Sequence, residues 1–546
     1  MLLFTLLGLL LLFIGGKPLN DIYLFLQSPF YRHPVILHYF GDARSLVLCI
    51  LGTYCVYRLL HRFIPGGPYT PKEDKRTLAS GIISRGKSTT FSFATEQRRK
   101  RIVLDHLSQG IYIEGSAGSG KSNSVIEPII YQAAAKGFSG FLYDFKGNPP
   151  TLSSCMYGAI VERKISTRFA HINLSCPSIS NRCNPLSPSY LPYKQYAHEY
   201  ASAILKNLNR EWASKLDFWA ENAIAYLSAI LWYLKKHHPL LCSLPHATLL
   251  ALEAPEKSIA LLNQDEETKR MIGAIGVAYD NNADKQIAGI FSSLQLPINK
   301  LYTKEIFWIL SSSPNDVGHI SLDVSNPSSP TLLSVANDPR LSDVFSPIIS
   351  LIATVCIKNM NQQGKHKSVF ILDEAPTLFI PGLEHLPATA RANEVATVLC
   401  VQDFAQLQKL YGQKLAESIR NNLGNQFFGM TNNLDTAEYI TKMAGEYTQV
   451  RTSVSESSQD WSETVSLGKE HYLTAHQVST QPPGHFITKV TGKTPRFFAA
   501  QLKAHRSNMK LPDQIVPETK LATLVEEKWQ KIHQEVKAIL AFKVRS

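Results

Sequence analysis

A short apolar strand, a glycine-rich turn and an apolar helical pattern follow one another directly between residues 110 and 135. The turn reads Gly-Ser-Ala-Gly-Ser-Gly-Lys-Ser and comes immediately after the apolar stretch Gly110–Glu114. This order matches the pattern G-x-x-x-x-G-K-[ST] in the strand–loop–helix context that phosphate binding requires. The glycines let successive backbone N–H groups point at a phosphate, and the start of the helix adds its positive end. A merely glycine-rich turn would lack these flanks.

The phosphate-binding loop, residues 115–122, is therefore the first candidate site. We expect Lys121 to reach the β- and γ-phosphate oxygens of ATP and the Ser122 hydroxyl to ligate Mg²⁺. The candidate nucleotide-binding residues of the loop are Gly115, Ser116, Ala117, Gly118, Ser119, Gly120, Lys121 and Ser122.

A phosphate-bound magnesium ion also needs a carboxylate at the end of a neighbouring strand. Three apolar segments offer one, at Asp144, Asp323 and Asp373, and only Asp373 is followed by a second acid, Glu374. We expect Asp373 to hold the water shell of the metal and Glu374 to orient or deprotonate the attacking water. Asp144 and Asp323 read more simply as strand-end residues. Lys146, two residues after Asp144, would have a use beside phosphates, so Asp144 and Lys146 are also candidate nucleotide-binding residues.

Residues 396–401 predict another buried parallel strand, which ends at Gln402. An amide at that edge of a sheet can sense the γ-phosphate by hydrogen bonding. Taken alone, Gln402 is equally well explained as a strand cap.

Composition sets the scale of the molecule. A chain of 546 residues with 44% apolar and 18% charged residues predicts a folded protein of two to four domains. Its eight cysteines are scattered without a C-x-x-C pair, so the sequence indicates neither a zinc ribbon nor a dense disulfide framework and fits a reducing compartment best.

Two apolar runs, Leu2–Ile14 and Leu46–Leu60, open the chain, and both are shorter than the roughly 20 residues of a straight span. The first is either a retained helix or the core of a cleaved signal peptide, and the second is either a span or a buried core helix. Basic residues concentrated after the second run place the bulk of the chain in the cytoplasm.

Residues 62–101 carry ten Lys or Arg against three acidic residues, which is most of the net charge of +12 of the whole chain. Such a segment attracts anionic lipid and nucleic-acid phosphate alike.

Taken in order, Gly115–Ser122, Asp144–Gly147, Leu372–Pro376 and Val401–Leu407 resemble the motifs of the TraG/TraD-like coupling proteins of type IV secretion and conjugation systems. The likeness spans roughly residues 100 to 505. It implies an α/β fold: a RecA-like P-loop nucleotide-binding domain with a predominantly parallel central sheet, an inserted all-helical domain and an N-terminal transmembrane anchor.

The resemblance also implies an arginine finger from a neighbouring subunit, and Arg391 stands at the matching place. By sequence alone, Arg391 is an exposed helical arginine. Two positions depart from the family pattern: Asn148, where an acidic residue is frequent, and Asp403, where a small polar residue is usual.

The predicted organisation has five parts. They are a two-helix membrane anchor (1–61), a basic juxtamembrane linker (62–101), a P-loop ATPase domain (102–189 and 303–505), an all-α domain (190–302) and a C-terminal helical tail (506–546), in which residues 521–540 show one apolar helical face.

Three local features complete these expectations. Residues 306–310 read as the first strand after the helical insertion, and Thr452–Ser466 reads as a solvated Ser/Thr-rich loop. Residues 484–490 and 496–500 resemble a closing hairpin of the family core.

The resemblance implies a multi-pass protein of the bacterial inner membrane that binds ATP and Mg²⁺ and assembles as a homo-hexamer. Its partners would be single-stranded DNA with a relaxase (the relaxosome), components of the type IV secretion channel and inner-membrane lipids. The alternative is a docking receptor for secreted effector proteins with little motor activity. A third possibility, a chromosome translocase, fits less well because no C-terminal winged-helix pattern is present.

Overall fold

The computed structural model describes Gly52 and residues 78–83, 90–105, 107–147, 149, 151–457, 460–492, 496–505, 509–512 and 514–542, with backbone alone for 452–457 and 460–465. The chain divides into two compact units. One unit contains residues 75–447 and 469–546, and the other includes residues 448–468.

Fourteen strands are present in the described part of the chain. They are β1 Ile82–Ile83, β2 Phe91–Ala94, β3 Lys100–Leu104, β4 Ile111–Glu114, β5 Ser139–Asp144, β6 Arg168–Asn173, β7 Thr331–Ala336, β8 Ser368–Leu372, β9 Val395–Val401, β10 Asn425–Phe428, β11 Glu446–Ser457, β12 Asp460–His471, β13 His485–Lys489 and β14 Phe497–Gln501.

The helices connect and cover these strands. The described α-helices are α1 Glu127–Ala135, α2 Leu152–Arg163, α3 Lys194–Leu208, α4 Glu211–Ser214, α5 Phe218–His237, α6 Leu244–Leu252, α7 Pro255–Leu262, α8 Glu266–Met271, α9 Gly273–Asp280, α10 Asp284–Ile298, α11 Lys304–Ile309, α12 Ser342–Met360, α13 Leu386–Ala390, α14 Phe404–Tyr411, α15 Gln413–Asn422, α16 Leu434–Ala444, α17 Ala475–Ser479 and α18 Glu518–Ala541.

Nine of the described strands form one sheet in the order β14-β13-β10-β4-β9-β8-β5-β7-β6. The pairings from β10 through β6 are parallel, whereas β13 pairs antiparallel with both β10 and β14. The central parallel strands β4, β9, β8 and β5 are buried on both faces, which explains why they read as largely apolar runs rather than as alternating patterns. The predicted closing hairpin is β13–β14.

Alternate residues of the parallel strands enter two different cores. On one face, Ile111 and Ile113 pack in a cluster with α1 and α2. On the other face, Tyr112 and Phe370 join a larger cluster that includes α3, α5 and α12. The strand period of two therefore decides which helices each side chain meets.

Helices α3 to α11 lie between β6 and β7, where the helical insertion is predicted; the domain limits 190 and 302 stay a prediction. The strand predicted at 306–310 is wrong, because these residues lie in or at the end of α11. The Thr303 hydroxyl accepts a hydrogen bond from the Ile306 N–H at 3.3 Å and caps the helix. Periodicity alone does not separate so short an apolar run from a buried helix.

Residues 448–468 correct a second expectation. The predicted loop Thr452–Ser466 lies instead in the paired strands β11 and β12. Alternating Thr, Val and Ser residues favour a pleated strand, a signal that the polar composition of the segment had hidden.

Part of the predicted basic linker is also folded. Strands β1, β2 and β3 make a three-stranded antiparallel sheet, so residues 91–94 and 100–101 are strand residues.

Within the described residues, one helical segment, Pro339–Met360, is long and apolar enough to cross a membrane, with a mean hydropathy of 1.6. Because 67% of its most apolar stretch is buried inside the protein, it is explained as a core helix. The predicted anchor runs 2–14 and 46–60 lie outside the described residues except for Gly52. A multi-pass anchor is therefore not supported by the part of the chain that the structure describes.

The C-terminal helix α18 packs on α6, α7 and α11 of the helical region. Its predicted apolar face is confirmed, since Ile532 and Val536 are buried. The Trp529 ring lies 4.7 Å from the Phe307 ring, and His246 Nε2 lies 3.1 Å from Glu535 Oε2. The helix therefore stabilises the helical region through one apolar seam.

We expect Ile532→Ala to lower the free energy of unfolding by about 2–5 kcal/mol, because it leaves a cavity in a seam that is fully buried. Chemical unfolding followed by circular dichroism measures the change. Thr523→Ala, at an exposed position of the same helix, is the control. Equal effects of the two substitutions would contradict the packing role of α18.

Candidate functional site

The phosphate-binding loop leaves the sheet at the carboxyl end of β4, between β10 and β9. Gly118 and Gly120 have φ angles of +82° and +91°, which only glycine adopts without strain. A Cβ on Gly120 would lie 2.7 Å from the backbone nitrogen of Gly484. The loop therefore needs glycine at 120 both for its turn and for its contact with a neighbouring loop.

Backbone hydrogen bonds hold the loop to its neighbours, and one of them runs from the Gly115 N–H to the Val401 carbonyl of β9 at 3.3 Å. Ser116 N–H donates to the Met430 carbonyl at 2.7 Å, and Gly484 N–H donates to the Ser119 carbonyl at 2.8 Å. These bonds join the loop to the residues that follow β10 and to the residue that precedes β13. Both segments lie at the same edge of the sheet as the loop.

Lys121 curls back over the loop. Its Nζ donates to the Gly115 carbonyl and, at 3.1 Å, to the Ser116 carbonyl. The helix that follows begins with a π-helical turn, Ser122–Ile126, and continues as α1. Free N–H groups of a first helical turn and an ammonium group beside them form an anion-binding site.

Parallel register brings the predicted acids to this loop. Glu114 at the end of β4 is paired with Val401 of β9, and Leu399 of β9 with Leu372 of β8. Asp373 and Glu374 follow β8 directly, and the Gln402 N–H donates to Glu374 Oε1 at 3.2 Å. The structure therefore brings Lys121, the two acids and Gln402 together at one edge of the sheet.

The electrostatics of the two acids reflect this crowding. Burial, together with the charges of Asp144 and Glu374, raises the pKa of Asp373 to about 7. Burial raises the pKa of Glu374 to about 6. Lys121 and Lys146 act in the opposite direction on both groups. Both acids are thus poised near neutral pH, where a carboxylate can accept a proton.

Asp144 and Lys146 extend the same edge through β5. Asp144 is fully buried, and its Oδ2 accepts hydrogen bonds from the N–H and the hydroxyl of Ser153, each at 2.9 Å. Asp144 therefore holds the first turn of α2, and burial raises its pKa. Lys146 is exposed and close enough to act on the acids of β8. Asn148 lies outside the described residues.

Arg391 lies at the opposite edge of the sheet from the loop. It is exposed and precedes the amino end of β9, whereas Gln402 follows the carboxyl end. A seven-residue strand spans about 20 Å, so Arg391 does not reach the phosphate-binding loop of its own chain. Asp323 does not end a strand. It lies in irregular structure before β7, and its Oδ2 lies 2.7 Å from the Nζ of Lys365. The strand predicted to end at Asp323 is wrong.

Sequence reasoning missed Glu114. This buried carboxylate accepts hydrogen bonds from the Tyr112 hydroxyl at 2.9 Å, the Phe404 N–H at 3.2 Å and the Thr436 hydroxyl at 3.0 Å. Behind it, the Arg420 guanidinium lies 3.7 Å from the Phe404 ring centre. An acid at the end of an otherwise apolar strand was the available signal.

The departure at Asp403 has a local explanation. Its side chain caps α14 by accepting from the Ala405 N–H at 3.0 Å and accepts from the Asn433 side-chain amide at 2.9 Å. Aspartate is well suited to this capping position.

Comparisons with known proteins agree with this arrangement. A protein-family model described as the TraM recognition site of TraD and TraG matches residues 367–483. The coupling protein TraD of Escherichia coli (strain K12) is 28% identical over 113 residues, which is 20% of this chain and 16% of TraD. The match therefore spans a small part of that relative.

Solved structures of the conjugative coupling protein TrwB share the fold over most of the chain. An unbound form lacking its N-terminus has a TM-score of 0.58 at 13% identity and covers 78% of this chain and 91% of its own. TrwB in complex with ADP and Mg²⁺ has a TM-score of 0.56 at 15% identity, covering 76% and 88%. TrwB with the ATP analogue ADPNP has a TM-score of 0.59 at 14% identity, covering 83% and 99%.

These matches confirm the predicted resemblance to coupling proteins and the predicted RecA-like α/β fold with a mostly parallel sheet and helical regions. At such low identity, the TrwB structures show the fold alone.

The raised pKa of Glu374 carries a stability cost. A folded-state pKa of about 6, above the ordinary glutamate value of about 4.3, means that the folded chain holds this proton more tightly than the unfolded chain. The carboxyl therefore favours folding most below about pH 4, and this contribution is lost as pH rises through about 6.

We expect Glu374→Gln to raise the free energy of unfolding at about pH 8 by on the order of 2 kcal/mol and to leave it unchanged at about pH 4. Thermal unfolding across this pH range measures the effect. Glu438→Gln, at an exposed helical position, is the control. A gain that does not depend on pH would contradict the electrostatic cause.

Proposed function

We propose that this chain, which resembles the TraG/TraD-like coupling proteins, is a membrane-anchored, homo-hexameric P-loop ATPase of the bacterial inner membrane. It recruits DNA–relaxase or protein substrates to a type IV secretion channel and drives their transfer by ATP hydrolysis. The observation that carries the proposal is the meeting of Lys121 with Asp373 and Glu374 at the carboxyl edge of a parallel sheet.

The residues at this edge fit an ATP–Mg²⁺ complex. The backbone amides of the phosphate-binding loop and Lys121 would hold the phosphates, with the Ser122 hydroxyl and Asp373 on the magnesium side. The glycine turn supports this fit, because Gly118 and Gly120 adopt the positive φ angles that let a loop backbone turn around a phosphate. The bound metal would neutralise charge that develops on the transferring phosphoryl group.

Glu374 is suited to orient and deprotonate the attacking water, because its pKa of about 6 lies close to the working pH. The backbone N–H of Gln402 donates a hydrogen bond to Glu374. A Gln402 side-chain amide that hydrogen-bonds the γ-phosphate would therefore link the phosphate to the position of this carboxylate. The TrwB structures with ADP and Mg²⁺ and with ADPNP support the choice of nucleotide and metal.

Arg391 completes the site from a neighbouring subunit. Because it lies at the far edge of its own sheet, it is available only to another chain, as a ring of subunits requires. A guanidinium supplied in this way is worth about 10³–10⁵ in turnover.

Membrane anchorage and cargo rest on the family likeness and on charge. The apolar runs 2–14 and 46–60 would form the two spans, and the basic residues of 62–101 would face anionic lipid or the phosphates of single-stranded DNA. The match to the TraM recognition model over residues 367–483 supports a contact with the relaxosome.

The second candidate is a docking receptor for secreted effector proteins in which nucleotide only orders the assembly and hydrolysis is incidental. The same match favours it, because a recognition site covers 367–483. The two functions differ in whether turnover responds to cargo.

The purified full-length chain is expected to hydrolyse ATP faster when single-stranded DNA is added. Glu374→Gln should lower turnover about 10²–10⁴-fold while nucleotide binding is kept, since the water loses its base. Lys121→Ala should weaken nucleotide binding itself. Phosphate release and fluorescent-nucleotide binding are the measurements, with Lys136→Ala, at the end of α1, as the control. Unchanged turnover in both site variants would exclude the motor, and a rate indifferent to DNA would favour the receptor.

Arg391→Ala is expected to abolish turnover in a uniform assembly. Mixing it with Lys121→Ala should restore part of the activity, because some interfaces then join an intact loop to an intact arginine. Arg270→Ala, an exposed arginine of α8, serves as the control and should remain active. Mixtures no more active than their separate components would contradict a role for Arg391 in trans.

A further inference from the structure

Three different metal-ligating side chains meet behind the phosphate-binding loop, and none of them has a part in the proposed hydrolysis. Glu127 begins α1, Cys155 lies in α2 and His505 follows β14. One ligand atom of each lies within 4.8 Å of the other two. Residues far apart in sequence are therefore brought to one point by the fold.

The three groups are largely withdrawn from water. Glu127 is 8% exposed and Cys155 is 1% exposed, while His505 is half-buried. His505 Nδ1 lies 3.8 Å from Glu127 Oε2. Zinc bonds of about 2.0–2.3 Å in a tetrahedron place ligand atoms about 3.3–3.8 Å apart. The cluster thus needs a contraction of about 1 Å at its widest, which side-chain rotation supplies.

Surrounding contacts already hold the ligands in place. The backbone N–H of His505 donates to the Asn123 carbonyl at 2.8 Å. The centre of the His505 ring lies 4.6 Å from the centre of the Tyr131 ring. Arg163 fixes that tyrosine by donating from Nε to its hydroxyl at 2.8 Å. Binding would therefore order little that is not ordered already.

The surroundings of the cluster favour a cation. Glu127 brings a largely buried carboxyl group to the cluster. Among the described residues, the buried Nδ1 of His505 has no hydrogen-bond partner. A divalent cation would bind both the thiolate and this nitrogen.

We propose that Glu127, Cys155 and His505 bind one structural zinc ion, with water as the fourth ligand. Mixed nitrogen, sulfur and oxygen ligands suit zinc, whereas Mg²⁺ and Ca²⁺ take oxygen ligands. Cys155 binds as the thiolate, and its proton is released to solvent. The ion ties the chain after β14 to the two helices behind the phosphate-binding loop.

The test uses untagged full-length protein in detergent, stripped of metal and free of nucleotide, dialysed against zinc chloride with an excess of magnesium chloride. Metal analysis should find one more zinc ion per chain in the wild type than in Cys155→Ser or His505→Ala. Loss of a partner that only supports a ligand already costs about 10–100-fold in affinity, so loss of a ligand should lower zinc affinity by at least about 100-fold. With cobalt in place of zinc, the wild type should show a thiolate-to-cobalt charge-transfer band that Cys155→Ser lacks.

Cys242→Ser is the matched control. Cys242 is buried like Cys155, and its Sγ faces a helix carbonyl, that of Leu231, at 3.9 Å, much as Cys155 Sγ faces the Glu127 carbonyl at 4.0 Å. It should keep the zinc and the cobalt band, as should Lys121→Ala, which separates this site from the nucleotide site. Equal zinc in the wild type and both ligand variants would overturn the proposal, and so would an equal loss in Cys242→Ser. If Cys155→Ser does not fold, the partly exposed His505→Ala decides the outcome.

Discussion

Parallel pairing of β4, β9, β8 and β5 is the constraint on which the rest of this structure depends. Parallel strands in register end at the same edge, so whatever follows each strand meets its neighbours there. The phosphate-binding loop, Gln402, the acid pair and Asp144 are in this way collected from nearly 300 residues of chain. A slip of one strand by one residue along its neighbour would turn each of its side chains toward the other core. The packing on the two faces therefore specifies the register.

The same edge concentrates charge at a cost to stability. Asp373 and Glu374 are crowded with Asp144 away from water, and their raised pKa values record that cost. Lys121 and Lys146 offset part of it, and two apolar cores on the faces of the sheet supply the rest. The electrostatic cost at this edge is compatible with folding because the apolar side chains elsewhere in the sheet are almost completely buried.

The two edges of the sheet face different tasks in the proposed ring. The carboxyl edge gathers the groups for phosphate chemistry, and the amino edge presents Arg391 to a neighbour. Since β9 separates the two edges by about 20 Å, the proposed ring would use Arg391 at the site of a neighbouring chain rather than at its own. In that proposal, turnover would depend on assembly of the ring.

The sequence by itself determined the loop at 115–122, the acid pair, the strand ending at Gln402 and the fold class, because each depends on short-range patterns of glycine, apolar and acidic residues. It mistook residues 306–310 for a strand and 452–466 for a loop, since a helix cap and a strand partner decide such segments. Only the tertiary structure placed Arg391 away from its own loop, engaged Asp144 with the start of α2, buried Glu114 among Tyr112, Phe404 and Thr436, and joined Glu127, Cys155 and His505. The physical reason is that contacts such as those of Glu114 with Phe404 and of Cys155 with His505 link residues hundreds of positions apart, and only the packing of the sheet against its helices brings such residues together.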